Sequence, residues 1–161
     1  MRFYLQGMDT FTYSHSDEDL IDQPIGYWAS AAGEAVVHHI RTMLAESGLT
    51  QPEWWILNQI VADDGRDKAA VLATLRGYLN VGDGSLQHDI RALHERGLLT
   101  EDADGRLRIT DEGRTLRDNT ALRQQKTRDQ IHQGIPEEEY IRTLKVLQRM
   151  IHNVGGSAWH H

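Results

Sequence analysis

The 161-residue sequence contains no cysteine, which excludes disulfide bonds, thiol redox sensing, a cysteine nucleophile and cysteine-ligated zinc. Proline occurs three times, at Pro24, Pro52 and Pro136, each time where a helix is expected to begin. No apolar run is long enough to span a bilayer and no signal-peptide pattern opens the chain, so a cytoplasmic protein without membrane contact is expected. Gly-x-Ser-x-Gly, a phosphate-binding loop and a metal-binding pair at i, i+4 are all missing, which argues against an enzyme. Basic residues are also few: 17 Lys and Arg against 24 Asp and Glu, a net charge of −7. That balance disfavours indiscriminate binding to nucleic acid and leaves room for a local basic surface on a dimer. Nine histidines do not make a metal site. His38 and His39 are adjacent and point to different helix faces, while His94, His132, His152, His160 and His161 are scattered. Neither metal nor cofactor is expected.

What the sequence does contain is organised around residues 80–113. Asn80-Val81-Gly82-Asp83-Gly84 is dense in residues that tolerate positive φ or cap a helix. Leu86, Ile90 and Leu93 then recur at i, i+4 and i+7, one apolar stripe on a helix, with Ser85, Gln87, His88, Arg91 and Glu95 on the other faces. Gly97 is placed to end that helix. Two short β-like runs follow, residues 98–101 and 106–110, joined through Asp104-Gly105, a strong hairpin signal. Thr110-Asp111-Glu112 supplies a cap and an acidic first turn for the next helix. A helix with a polar face followed at once by a small hairpin reads as a recognition helix and its wing.

The flanking segments complete the pattern. Residues 1–24 read as an N-terminal arm with an acidic cluster at Asp17, Glu18 and Asp19. Within it Phe3-Tyr4-Leu5-Gln6-Gly7-Met8 resembles a protease-site scar; the other reading is a native arm packed across a dimer partner. From Pro24 to Glu46, Ile25, Trp28, Ala32, Val36, Ile40 and Met43/Leu44 keep helical spacing, and Gly48 ends the helix. Thr50 caps a second helix carrying Pro52 and Glu53 in its first turn, with Trp54, Leu57 and Ile60/Val61 as its buried stripe. Residues 63–67 are expected to be a loop. A short third helix turns Leu72, Leu75 and Leu79 inward, so residues 69–96 form a helix-turn-helix. A long polar helix follows from Asp111 to about Gln133, and after Pro136 a last helix carries an apolar seam of Tyr140/Ile141, Leu144, Leu147 and Ile151. The expected fold is mainly α with a small β wing. Residues 25–155 form the regulator domain, with a DNA-binding lobe at 50–110 and dimerisation helices at 25–47 and 111–154. Residues 156–161 are a tail.

This order resembles the MarR family of winged-helix transcriptional regulators over roughly residues 25–152. The resemblance is carried by Gly48-Leu49-Thr50 with Pro52-Glu53-Trp54, by Leu75 and Leu79-Asn80-Val81, and by Ser85-Leu86-Gln87. Leu93-His94-Glu95-Arg96-Gly97-Leu98-Leu99 and Ile109-Thr110-Asp111-Glu112-Gly113 complete it. It implies a homodimer joined by its N- and C-terminal helices, bound to a pseudo-palindromic operator and acting as a repressor released by a small ligand. Ser85 and Gln87 are then candidates for phosphate or base-edge contacts, and Arg91 for guanine or phosphate. His88 on that face predicts affinity that rises as pH falls. Arg106 resembles the family's wing-tip arginine, entering the minor groove with Asp104 orienting its guanidinium. Arg114 and Arg117 on the following helix are a reserve of positive charge.

The departures from that pattern are electrostatic. His88 stands where the family usually has arginine, Ala92 where it has a basic residue, and Glu101 replaces a frequent arginine. Across residues 83–108 the acids Asp83, Asp89, Glu95, Glu101, Asp102 and Asp104 outnumber Arg91, Arg96, Arg106 and Arg108, which predicts weak, salt-sensitive binding. The alternative is therefore a MarR-like dimer that binds a ligand or a protein and has weak or lost DNA binding. For a ligand, the family's pocket lies between the dimerisation helices and the winged helix. Trp55 with Tyr27 or Trp28, and His38 or His39, would line it for an aromatic acid or a planar antibiotic, with Arg41 pairing a carboxylate. The plain reading of Trp54 is core.

Overall fold

The computed structural model describes residues 11–79 and 83–158, without the side chains of residues 78, 79 and 83. The possible scar at Phe3–Met8, the turn Asn80–Gly82, the inward placement of Leu79 and the terminal His160–His161 lie outside the described residues. Among the described residues, seven helices and three short strands follow one another: α1 (Asp17–Leu20), α2 (Ile25–Glu46), α3 (Gln51–Ala62), β1 (Arg66–Asp67), α4 (Lys68–Leu79), α5 (Asp83–Glu95), β2 (Leu99–Glu101), β3 (Arg106–Ile109), α6 (Asp111–Ile131) and α7 (Glu137–Asn153). No described helix is long and apolar enough to cross a membrane.

Helix boundaries follow from local chemistry. The Ser16 hydroxyl accepts from the Asp19 amide and starts α1 within the arm, at the acidic cluster of Asp17, Glu18 and Asp19. Gly48 and Gly97, both at positive φ, end α2 and α5 in the left-handed conformation that glycine adopts without a Cβ clash. Thr50 and Glu53 form a reciprocal capping box: the Glu53 amide donates to the Thr50 hydroxyl at 3.3 Å and the Thr50 amide to the Glu53 carboxylate at 2.9 Å. The Asp67 carboxylate accepts from the amides of Ala69 and Ala70 and starts α4. Thr110 does the same for α6 through the Gly113 amide.

The expected loop at 63–67 is corrected by β1. Arg66 and Asp67 pair with Leu107 and Arg106, so the sheet has three antiparallel strands in the order β1-β3-β2. Two residues carry no alternating pattern of their own; their partner lies forty positions away, so local sequence holds no sign of the pairing.

The core sits where α3, α4, α5 and the sheet meet. Ile56, Leu57, Ile60, Val71, Leu75, Leu86, Leu93, Leu99 and Leu107 are buried there, with Trp54 and Trp55 packed against it. Arg66 links α3 to α4, donating to the Gln59 side chain and to the Thr74 hydroxyl. The outer helices differ. Over its 22 residues α2 buries only Leu44, α6 buries Gly113, Thr120 and Thr127, and α7 buries nothing. The two threonine hydroxyls are satisfied by carbonyls one turn back.

Candidate nucleic-acid interface

The apolar stripe of α5 decides which side chains it offers outward. Leu86, Ile90 and Leu93 are 0–3 % exposed and fix the rotation of the helix against α3 and α4. Ser85, Gln87, His88 and Arg91 are exposed in consequence, and they form the polar surface of the helix. At its C-terminal end Arg96 reaches the Glu53 carboxylate of the α3 capping box at 3.6 Å, and the Thr110 hydroxyl donates to the Gly97 carbonyl at 2.7 Å. The helix is held from both neighbouring elements.

One charge on α5 is placed at a cost. Partial burial lifts the Asp89 carboxyl above its ordinary value, the Glu53 carboxylate adds to the rise, and His88 opposes it.

In the wing the turn is built by Asp102, not Asp104. Its carboxylate accepts from the amides of Asp104 and Arg106, each at 3.0 Å, while Gly105 at φ 75° lets the chain reverse. The expected orientation of Arg106 by Asp104 is corrected accordingly. The Arg106 guanidinium donates to the Gly65 carbonyl at 3.0 Å, because β1 brings residues 63–65 alongside β3. The Arg108 guanidinium, from β3, lies against the same loop, 3.9 Å from Asp64, and 3.8 Å from Asp102. Both wing arginines are thus anchored by the segment expected to be a plain loop.

The reserve assigned to α6 is corrected in part. Arg117 donates to the Asn58 side chain at 2.9 Å and sits 5.9 Å above the Trp54 ring, tying α6 to α3. Arg114 is exposed.

Lys68 and Glu101 were missed by sequence reasoning as a pair. They stand 33 residues apart and meet at 3.1 Å, beside the polar face of α5. No local signal marks a contact at that separation.

The residues expected to bind a ligand do not converge. Trp28 lines a groove with Phe11, Tyr13, Leu20 and Ile25 at the start of α2, and its ring meets Tyr27 edge-on at 5.3 Å. His39 is 3.3 Å from the Gln130 side chain on α6, and His38 is exposed. Arg41 donates to Gln51 at 3.2 Å, and Trp55 packs against the core. Trp28 stands near the start of α2, His38, His39 and Arg41 lie in its second half, and Trp55 is on α3, so they do not share one pocket. A separate cavity of about 360 Å³ lies between α2, α6 and the start of α7, lined by Val36, Ile40, Gln124, Arg128, His132 and Tyr140 among others.

Comparison with known proteins gives one family model and a set of structures. Residues 49–113 match the winged helix DNA-binding domain. No curated protein matches by sequence. A MarR family protein of Mycobacterium tuberculosis, solved in complex with DNA, is 19 % identical with a TM-score of 0.62, over 80 % of this chain and 98 % of that one. A MarR family transcriptional regulator from a Rhodococcus species is 25 % identical with a TM-score of 0.63, over 85 % and 96 %. CouR from Rhodococcus jostii, bound to p-coumaroyl-CoA, is 23 % identical with a TM-score of 0.64, over 81 % and 93 %.

Proposed function

We propose that this chain, whose residues 49–113 belong to the winged helix DNA-binding domain family and whose fold is that of MarR-family regulators, is a sequence-specific transcriptional regulator of the cytoplasm. It acts as a homodimeric repressor, with residues 50–110 on the DNA and residues 25–47 and 111–154 in the dimer. The observation that carries this reading is the α5 surface. The burial of Leu86, Ile90 and Leu93 leaves Ser85, Gln87, His88 and Arg91 on an exposed face, beside a wing whose Arg106 is anchored at its base. Such a helix enters a major groove, and the wing reaches the adjacent minor groove.

Two further observations support the assembly and the control. In α7 Ile141, Leu144, Val146 and Met150 are all 41 % exposed or more, an apolar surface suited to a second copy across a two-fold axis. That axis sets two α5 helices about one turn of DNA apart, roughly 34–36 Å, and calls for a pseudo-palindromic operator. CouR carries p-coumaroyl-CoA, and an aromatic acid or its conjugate is the effector class we assign here. Arg41 and Trp55 are its best-placed contacts, since Arg41 bonds Gln51, one turn of α3 before Trp55.

A salt-titrated mobility shift on the DNA flanking the protein's own gene tests the reading. A discrete complex, competed by its own site and weakened steeply by salt, is expected. No specific complex at low salt from folded protein overturns it. That result favours the second reading, a dimer that binds a ligand or protein without DNA, for which the acidic excess of residues 83–108 speaks.

A further inference from the structure

Between α5 and the wing lies an open groove of about 190 Å³, lined by Lys68, Gln87, Ile90, Arg91, His94 and Glu101. Its geometry follows from strand register. Glu101 pairs with Leu107 across the β2–β3 ladder, so the two side chains leave the same face of the sheet. Leu107 fills the core with no exposure, whereas Glu101 lies at the end of β2 and meets Lys68 at 3.1 Å. Gln87, Arg91 and His94 follow one another at i, i+4 and i+7 and form the opposite wall. Among the lining residues Lys68 and Arg91 are the permanent cations and Glu101 is the one acid.

We propose that this groove seats a DNA backbone phosphate between recognition helix and wing, and that Glu101 withholds Lys68 from it, lowering the grip on DNA of any sequence. The inference rests on the DNA-binding reading above. A duplex that takes α5 in its major groove and the wing in its minor groove must run the intervening strand across the space between them. Its phosphates there are met by whatever cations the groove presents, and that contact carries no sequence information. Lys68 is a mobile point charge of the kind that binds phosphate. Its pair with Glu101 joins two side chains that are 33 % and 35 % exposed, an arrangement that holds weakly and exchanges readily. Lys68 must give up this pair before it can turn to the phosphate, and that competition is the brake. The restraint lowers specific and non-specific binding alike, so the ratio between them is left to the base contacts.

The test uses the full chain and a mixed-sequence duplex, with anisotropy titrations over a range of salt concentrations. Glu101→Gln is expected to tighten binding about tenfold at low salt and to steepen the dependence of log K on log salt by about one per protomer. Lys68→Ala is expected to weaken binding, and Glu101→Gln to gain little on that background. Glu101→Thr, which suits a strand, replaces the glutamine variant if a thermal melt shows the wing loosened. Unchanged affinity and slope in the glutamine variant overturn the inference, as does a full gain in the absence of Lys68, which makes the repulsion direct. Specific binding to the flanking DNA with an unchanged slope overturns this inference alone. A steeper slope without preference for any sequence overturns the regulator reading and leaves the groove standing.

Discussion

The guanidinium of Arg106 donates to the carbonyl oxygen of Gly65 at 3.0 Å. The bond ties the outermost arginine of the wing to the loop that precedes β1, and Gly65 sits there at φ 78° with the Arg108 guanidinium packed over it. One nitrogen of Arg106 is engaged and the residue as a whole stays exposed, so the anchor aims the side chain without consuming its donors. Arg106→Ala should therefore weaken operator binding by roughly 1–3 kcal/mol while leaving the melting temperature nearly unchanged. Anisotropy on the operator and a thermal melt measure the two quantities. Unchanged affinity removes the wing from the DNA contact.

Gly113 has no room for a side chain. A Cβ there would collide with the Leu98 carbonyl oxygen and come within 2.9 Å of the Ile109 side chain. Backbone on one side and a packed side chain on the other leave no cheap relaxation. Gly113→Ala should destabilise the protein by about 3 kcal/mol or more, read from urea unfolding, because α6 must move away from the start of β2.

Asp89 supplies a pH test of α5. Partial burial and the neighbouring Glu53 raise its carboxyl above the ordinary value, so the folded protein holds that proton more tightly than the unfolded chain. Its contribution is fully present below the ordinary aspartate range and is lost as pH rises through the raised folded value. Asp89→Asn should thus stabilise the protein at neutral pH, with the advantage fading in acid. Urea midpoints of both proteins across that range check the sign; a neutral-pH loss of stability contradicts it.

The apolar surface of α7 gives a prediction about assembly. Leu144 is 41 % exposed in the single chain, although it occupies the seam of Ile141, Leu147 and Ile151. Leu144→Arg puts a charge into any interface that seam forms and should yield folded monomer by sedimentation, with operator binding lost. A dimer of unchanged stability locates the interface elsewhere.

Legibility in the sequence tracked the range of the interaction. The spacing of Leu86, Ile90 and Leu93, the glycine at 97 and the pair Asp104-Gly105 each act within a few residues, and α5 and the hairpin are where these signals put them. The cap at Thr50 was equally local. Contacts closed by tertiary structure were not legible. Arg66–Asp67 becomes a strand only because β3 folds against it, and Arg106 finds Gly65 through that pairing. Arg117, one of several polar residues on α6 in the sequence, is committed to Asn58 and Trp54. The candidate ligand residues failed to converge because helical periodicity fixes a face and leaves the depth and neighbours of a pocket open.

Hydroxyl-radical footprinting of the protein on the DNA flanking its own gene tests the central claim most directly. The account predicts two protected patches related by a two-fold axis and about one helical turn apart, appearing together as protein is added. No protection at low salt, from a preparation shown to be folded and dimeric, would contradict it.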